Sequence, residues 1–293
     1  MGTDRAGHVA RSTSRPYSET PGATNGGTPL RTFLRTADGV RIDSVYDPGN
    51  AVRGIPREPS RDPVFVVAHG FTGSADRPHV RRVARAFARY GAVVTFSFRG
   101  HGASGGRSTV GDREVLDLAA AVAWARERGH ARVVTVGFSM GGSVVLRHAA
   151  LGDAGADAVV SVSAPARWFY RGTAPMRRLH WLVTRPSGRL VGRYGLRTRI
   201  HRRLGAPPAR RAWGRGPVPL SPVEAVPRIA PTPLLIVHGD SDAYFPLDHP
   251  RMLAAAAGEH GELWIEPGMG HAENAAPEGL LHRIGDWAVA RAG

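Results

Sequence analysis

The chain has 293 residues with 13 histidines, no cysteine and no lysine, so its formal net charge of +15 rests on arginine alone. The lack of cysteine excludes disulfides and thiolate-ligated metals, and it suits a reducing, cytoplasmic setting. No run approaches the roughly 18 apolar residues needed to cross a bilayer, and the length suits one substantial α/β domain.

Residues 1–29 are rich in Ser, Thr, Gly and Arg and carry no apolar core of a signal peptide, so they read as a disordered arm outside the fold. Two short strands open the domain at 30–36 and 40–47. The Asp38-Gly39 pair between them favours a tight hairpin turn. A Pro- and Arg-rich loop runs to Asp62. Uninterrupted apolar runs of strand length then follow at 64–68, 92–98, 132–137, 158–162 and 234–238, with a last strand at 263–266. Such runs suit strands buried on both faces. Helical patterns lie between them at 78–90, 113–128, 143–151 and 247–257, with a final helix at 277–291. This alternation predicts a mostly parallel eight-stranded sheet flanked by helices. In such sheets ligands bind beyond the carboxyl ends of the strands, which directs attention to the residues that follow each run.

After the first parallel strand comes His69-Gly70-Phe71-Thr72-Gly73. Glycine lets the backbone approach a ligand closely, so the Phe71 N–H is a candidate donor to a developing oxyanion; an ordinary turn with His69 packed beneath it is the alternative. Arg99-Gly100-His101-Gly102 after the next strand either neighbours a pocket or braces a turn. Two stretches fit the pattern G-x-S-x-G. In Gly102-Ala103-Ser104-Gly105-Gly106 no periodic helix follows, and the stretch reads as a flexible loop. In Gly137-Phe138-Ser139-Met140-Gly141 an apolar strand precedes and a helical run follows, the context in which a sharp turn can present a serine as nucleophile. Ser139 is therefore the candidate nucleophile, and the neighbouring Met140 N–H the second oxyanion donor. Asp112, Glu114 and Asp117 read as charges favourable at a helix N-terminus.

Two carboxylates, Asp240 and Asp242, follow the strand ending at His238. Asp240 sits in a tight turn where an aspartate usually accepts backbone N–H groups, leaving Asp242 as the better candidate to orient an imidazole. His271 lies in the glycine-flanked loop after the last strand, and no other histidine does. An imidazole can take the serine proton during attack while a carboxylate fixes its tautomer and stabilises the imidazolium. Ser139, Asp242 and His271 thus form a candidate catalytic set at one edge of the sheet.

These stretches, from His69-Gly70-Phe71 through the Ser139 turn to Asp242 and Gly270-His271, resemble the α/β-hydrolase superfamily over about residues 30–292. Within it the chain is similar to serine esterases and monoacylglycerol-lipase-like hydrolases of the serine aminopeptidase type. The resemblance implies an α/β-hydrolase fold without cofactor or metal, acting on a small-molecule acyl ester. It also implies an inserted cap after the sixth strand, here residues 165–222 of a domain spanning 30–293. No acid occurs between Asp157 and Glu224, which argues against the aminopeptidases, since they need a carboxylate for the substrate ammonium. Trp168 and Phe169 either line an acyl pocket or pack the insertion onto the sheet. The arginines either face water or meet an anionic group or membrane surface. No nucleic-acid motif accompanies them, and the sequence leaves oligomeric state open. Acyl transfer, peroxide-dependent chemistry or C–C hydrolysis by the same residues, and a lipid-binding protein with a vestigial site, are the alternatives to ester hydrolysis.

Overall fold

The computed structural model of the chain describes residues 28–49, 62–151, 155–201 and 219–293. Most of the expected N-terminal arm, the Pro- and Arg-rich loop from 50 to 61, and residues 202–218 of the expected insertion lie outside the described residues.

The hairpin strands β1 (Leu30–Arg35) and β2 (Arg41–Asp47) lead into β3 (Val64–Ala68), α1 (Pro78–Phe87), β4 (Ala92–Phe96), α2 (Glu114–Glu127) and β5 (Val133–Phe138). There follow α3 (Met140–Ala149), β6 (Ala158–Val162), α4 (Ala174–Thr184), α5 (Pro186–Tyr194) and the short α6 (Pro222–Ala225). The chain ends with β7 (Leu234–Gly239), α7 (Asp248–Ala257), β8 (Gly261–Glu266), the four-residue α8 (Ala272–Ala275) and α9 (Glu278–Arg291). One eight-stranded sheet runs in the order β1-β2-β4-β3-β5-β6-β7-β8. β2 is antiparallel to both β1 and β4, and every later pairing is parallel.

Alternation along each strand divides the core into two layers. In β3, Val64, Val66 and Ala68 face α2, α3 and α7, whereas Phe65 and Val67 face α1 and α9. The strands are continuously apolar because helices cover both faces. Strand order reverses at β3, whose neighbours β4 and β5 follow it on opposite sides, so the loops after β3 and β5 leave the sheet side by side.

Two local expectations need correction, and two further stretches hold more structure than their residue types announce. First, α3 begins at Met140 and not at Ser143, so Gly141 and Gly142 belong to its first turn. They serve close packing: a Cβ at Gly141 would lie 2.1 Å from the Ala68 carbonyl oxygen, and one at Gly137 2.2 Å from that of Gly141. Second, the stretch around Ser104 is not a loose loop. The Ser104 hydroxyl is buried, accepts the Asp43 N–H at 2.9 Å and donates to the Ser97 carbonyl.

Third, Glu114 and Asp117 stand in the first turn of α2, as expected, and are in addition buried and bonded. Glu114 is fully buried and gathers the Ser108 and Thr109 hydroxyls and the Thr109 and Gly111 N–H groups. Asp117, also fully buried, binds the Arg99 backbone N–H and guanidinium. Fourth, the insertion is helical from Ala174 to Tyr194 save one residue. Pro175 and Pro186 each stand in a first helical turn, where a missing N–H costs nothing, so they start helices that a reading of prolines as breakers overlooks.

Arg99 joins three elements: besides Asp117 it holds Asp38 in the β1–β2 turn through two hydrogen bonds of 2.8 and 3.0 Å. It braces the turn and touches nothing reactive. Hydrogen bonds from Arg99, working against burial, hold the Asp38 carboxyl at about 2, below its ordinary 3.8. A depressed folded-state value means the pair stabilises the fold above the ordinary carboxyl range and loses that contribution as pH falls toward 2. Replacing Asp38 by Asn is expected to lower stability near neutrality and to flatten its dependence on pH between about 4 and 2, read by denaturant unfolding across that range.

Candidate active site

Ser139 closes the turn between β5 and α3 with φ 52° and ψ −113°, a conformation that side chains other than glycine rarely adopt. Its neighbours impose it. The Ser139 N–H continues the sheet ladder to the Val162 carbonyl at 2.8 Å, while its own carbonyl accepts the Ser143 N–H of the first helical turn at 3.2 Å. The strand and the helix thereby meet across one residue, and the side chain projects from the sheet edge.

The hydroxyl donates to Nε2 of His271 at 2.8 Å, and Nδ1–H of His271 donates to Oδ2 of Asp242 at 2.7 Å. The structure therefore brings together the three residues that the sequence singles out. His271 precedes α8, where Ala272 adopts φ 55° and gives its N–H to the Ser163 hydroxyl at 3.1 Å. Asp242 follows β7 and its side chain is fully buried; its Oδ1 accepts the Tyr244 and Phe245 N–H groups at 2.7 and 3.1 Å. Burial by itself would push the Asp242 carboxyl up. The His271 hydrogen bond and charge and the two backbone donors outweigh it, and the group stays below its ordinary value. Asp240 instead accepts the Gly268 N–H in its turn.

Two residues at this site escape a reading of the sequence. Tyr244 stacks on the His271 ring with centroids 4.3 Å apart and planes inclined by 25°. His238 lies 3.5 Å from Asp242 Oδ2 and donates to the Phe245 carbonyl at 2.8 Å; burial holds its pKa below the usual histidine value, keeping it neutral beside the aspartate. Neither belongs to a motif, since ring contacts across a turn leave no periodic signal.

The loop after β3 is held by two buried imidazoles. His69 Nε2 accepts the Phe98 N–H at 3.0 Å, which places the proton on Nδ1, and Nδ1–H donates to the Gly70 carbonyl at 2.6 Å. Burial drives the His69 pKa well down, so this neutral tautomer persists. A trans peptide sets its C=O and N–H on opposite sides. Anchoring the Gly70 oxygen therefore aims the Phe71 N–H the other way. His101 Nε2–H holds the next carbonyl, that of Phe71. Met140 opens α3, and the first N–H groups of a helix have no partner within it. Phe71, in the loop after β3, and Met140, at the start of α3, both border the cavity that Ser139 reaches. Hydrogen-bond donors so placed can each lower the barrier to a developing oxyanion by about 3 to 4 kcal/mol.

Two chambers meet at Ser139. The larger, about 900 Å³, has His79, Arg177, Arg178 and Trp181 among its walls. The smaller, about 120 Å³, is apolar and includes Trp168, Phe169, Met176 and Val183. Trp168 is fixed by its indole N–H to the Pro219 carbonyl at 3.0 Å and by the Arg147 guanidinium over its ring; Phe169 is 45% exposed. Met176 of α4 borders both chambers. Among the described residues no cluster of His, Asp and Glu could hold a metal ion, and no helix is long and apolar enough to cross a membrane.

Comparison with known proteins agrees with this architecture. The chain is 28% identical over 267 residues to a monoacylglycerol lipase of Mycolicibacterium smegmatis, an alignment covering 79% of this chain and 90% of that protein. Among solved structures, an esterase of Pyrococcus furiosus superposes with a TM-score of 0.66 at 20% identity, over 91% of this chain and 94% of that one. The ferulic acid complex of Est1E from Butyrivibrio proteoclasticus gives 0.63 at 20% identity, over 89% and 98%. A family model described as the alpha/beta hydrolase family matches residues 65–283. By that match, which spans the sheet from β3 to β8 and includes Ser139, Asp242 and His271, the chain belongs to the alpha/beta hydrolase family.

Proposed function

We propose that this protein is a serine hydrolase that cleaves carboxylic esters through an acyl-enzyme on Ser139. The observation that carries the reading is the unbroken hydrogen-bonded chain Ser139–His271–Asp242, with links of 2.8 and 2.7 Å. His271 Nε2 takes the hydroxyl proton as Oγ attacks the ester carbonyl. Asp242 holds the imidazole in the accepting tautomer and stabilises the imidazolium. The Phe71 and Met140 N–H groups receive the oxyanion. Collapse of the tetrahedral intermediate expels the alcohol with the proton from His271, and water, deprotonated by the same imidazole, then releases the acid.

The two chambers divide the substrate. The apolar one accepts the acyl chain against Trp168, Phe169 and Met176, and its small volume favours short to medium acyl groups. The wider one receives the alcohol portion, with room for a glycerol. We read residues 165–222 as a cap, because α4 supplies walls to both chambers. Similarity to a monoacylglycerol lipase supports an acyl-glycerol or a related ester as substrate.

The helical hairpin also leaves Trp181, Leu190, Val191 and Tyr194 exposed among arginines, in a stretch without acids. Such a face suits weak contact with an anionic lipid surface, from which an acyl-glycerol would be drawn.

A fluorophosphonate is expected to label the wild-type protein and Ser104→Ala but not Ser139→Ala; equal labelling of the two variants would overturn the nucleophile. With a series of p-nitrophenyl esters, kcat/KM should peak at a short or medium acyl length, and Trp168→Ala should move that peak to longer chains by enlarging the apolar chamber. Binding to vesicles rich in phosphatidylglycerol should weaken steeply with salt and fall further in a Leu190→Ser, Tyr194→Ser double variant, measured by co-sedimentation.

A further inference from the structure

Glu273 has no part in the chemistry proposed for Ser139, yet it is the charged side chain set deepest in the wall of the larger chamber. It lies two residues beyond His271, within α8, and is 3% exposed. Its Oε1 accepts the Gly70 N–H at 2.8 Å across a separation of 203 residues. The carboxyl sits against the Gly70 Cα so closely that an added Cβ there would lie 3.1 and 3.2 Å from its two oxygens. Its backbone is held as well: Arg82 of α1 donates to the Glu273 and Ala276 carbonyls, each at 2.7 Å.

Three successive peptides of the loop after β3 are therefore gripped by three buried side chains. Glu273 takes the Gly70 N–H, His69 takes the Gly70 carbonyl, and His101 takes the Phe71 carbonyl. His69 and His101 belong to the loop or its neighbour in the sheet. Glu273 alone comes from the segment that carries the base. The peptide before Gly70 and the peptide after it share the Gly70 Cα, so the grip on Gly70 N–H limits rotation of the unit that presents Phe71 N–H. Oxyanion donors act only within a few tenths of an ångström of the right place, which makes such a limit consequential.

We propose that Glu273 is a positioning residue for the oxyanion hole: its Gly70 hydrogen bond locks the Phe71 N–H in register with the His271 segment, so that donor and base are placed as one unit. The role rests on the ester-hydrolase reading of Ser139. It requires the reach of the side chain and one acceptor oxygen, not the charge. Gln keeps both requirements, whereas Asp keeps the charge but is one methylene too short.

The contrast between Glu273→Gln and Glu273→Asp tests this. Gln should retain kcat within about fivefold, because its amide oxygen still accepts the Gly70 N–H. Asp, and Ala where it folds, should lose about 100-fold in kcat with KM little changed, the cost of misplacing one oxyanion donor. Affinity for an aryl trifluoromethyl ketone, whose adduct with Ser139 carries an oxyanion, should fall by a similar factor. Hydrogen exchange of the Gly70 amide should be slow in the wild type and Gln and faster in Asp, a readout independent of catalysis. Wild-type kcat in Asp, a loss in Gln equal to that in Asp, or unchanged Gly70 exchange in Asp would each overturn the assignment. Absence of fluorophosphonate labelling in the wild type would instead remove the nucleophile reading, leaving the Gly70 exchange to decide whether Glu273 grips the loop.

Discussion

The approach of α3 to β3 is the constraint on which the rest of the site depends. At Gly137 and Gly141 there is no space for a Cβ between the helix start and the Ala68 and Gly141 carbonyls. That contact forces the chain through Ser139 in a strained conformation, and the ladder bond to Val162 prevents relaxation. Strain persists only where surroundings over-determine it, and here a strand on one side and a helix on the other do so. The same approach brings the first turn of α3 beside the loop after β3, so the closeness that exposes the serine also pairs the two segments bearing its candidate oxyanion donors.

Around that contact the protein uses buried polar groups as fixed spacers. His69 and His238 are kept uncharged by burial and act through one defined tautomer each, His69 toward the Gly70 carbonyl and His238 toward Phe245. Glu114, Asp117 and Arg99 do the corresponding work at the start of α2. A buried charge that loses its partner costs about 3 to 5 kcal/mol, so these groups hold loop conformations firmly although each pair adds little net stability. The loops at the carboxyl ends of the strands are thus held at fixed distances, while the apolar wall above them comes from Trp168, Phe169 and α4.

The fold was largely legible because continuous apolar runs and alternating periods report directly on burial. β3 and β6 have the very bounds that their apolar runs suggest. The residues later found bonded at the sheet edge were legible for a related reason: Ser139, Asp242 and His271 each follow a strand. What stayed hidden has a common physical cause. Ser104, Glu114 and Glu273 act through hydrogen bonds to backbone atoms 61, 5 and 203 positions away. A backbone partner carries no side-chain identity, so the pairing leaves no trace in residue types. The helices α4 and α5 escaped because arginines and glycines blur the apolar period, and because proline reads as a breaker unless its place in the first turn is known.

The bond between Ser139 and His271 spans 132 positions, and the residues that orient the imidazole lie between β7 and α8. During synthesis Ser139 emerges long before the imidazole to which its hydroxyl donates, so it lacks that acceptor until the segment after β8 is in place. On the proposed reading, a chain that stops short of His271 holds the Ser139 turn without the base that would activate it. On that reading, the segment bearing His271 would act as a timer, coupling the onset of reactivity to the late arrival of β8 and α8 in the sheet.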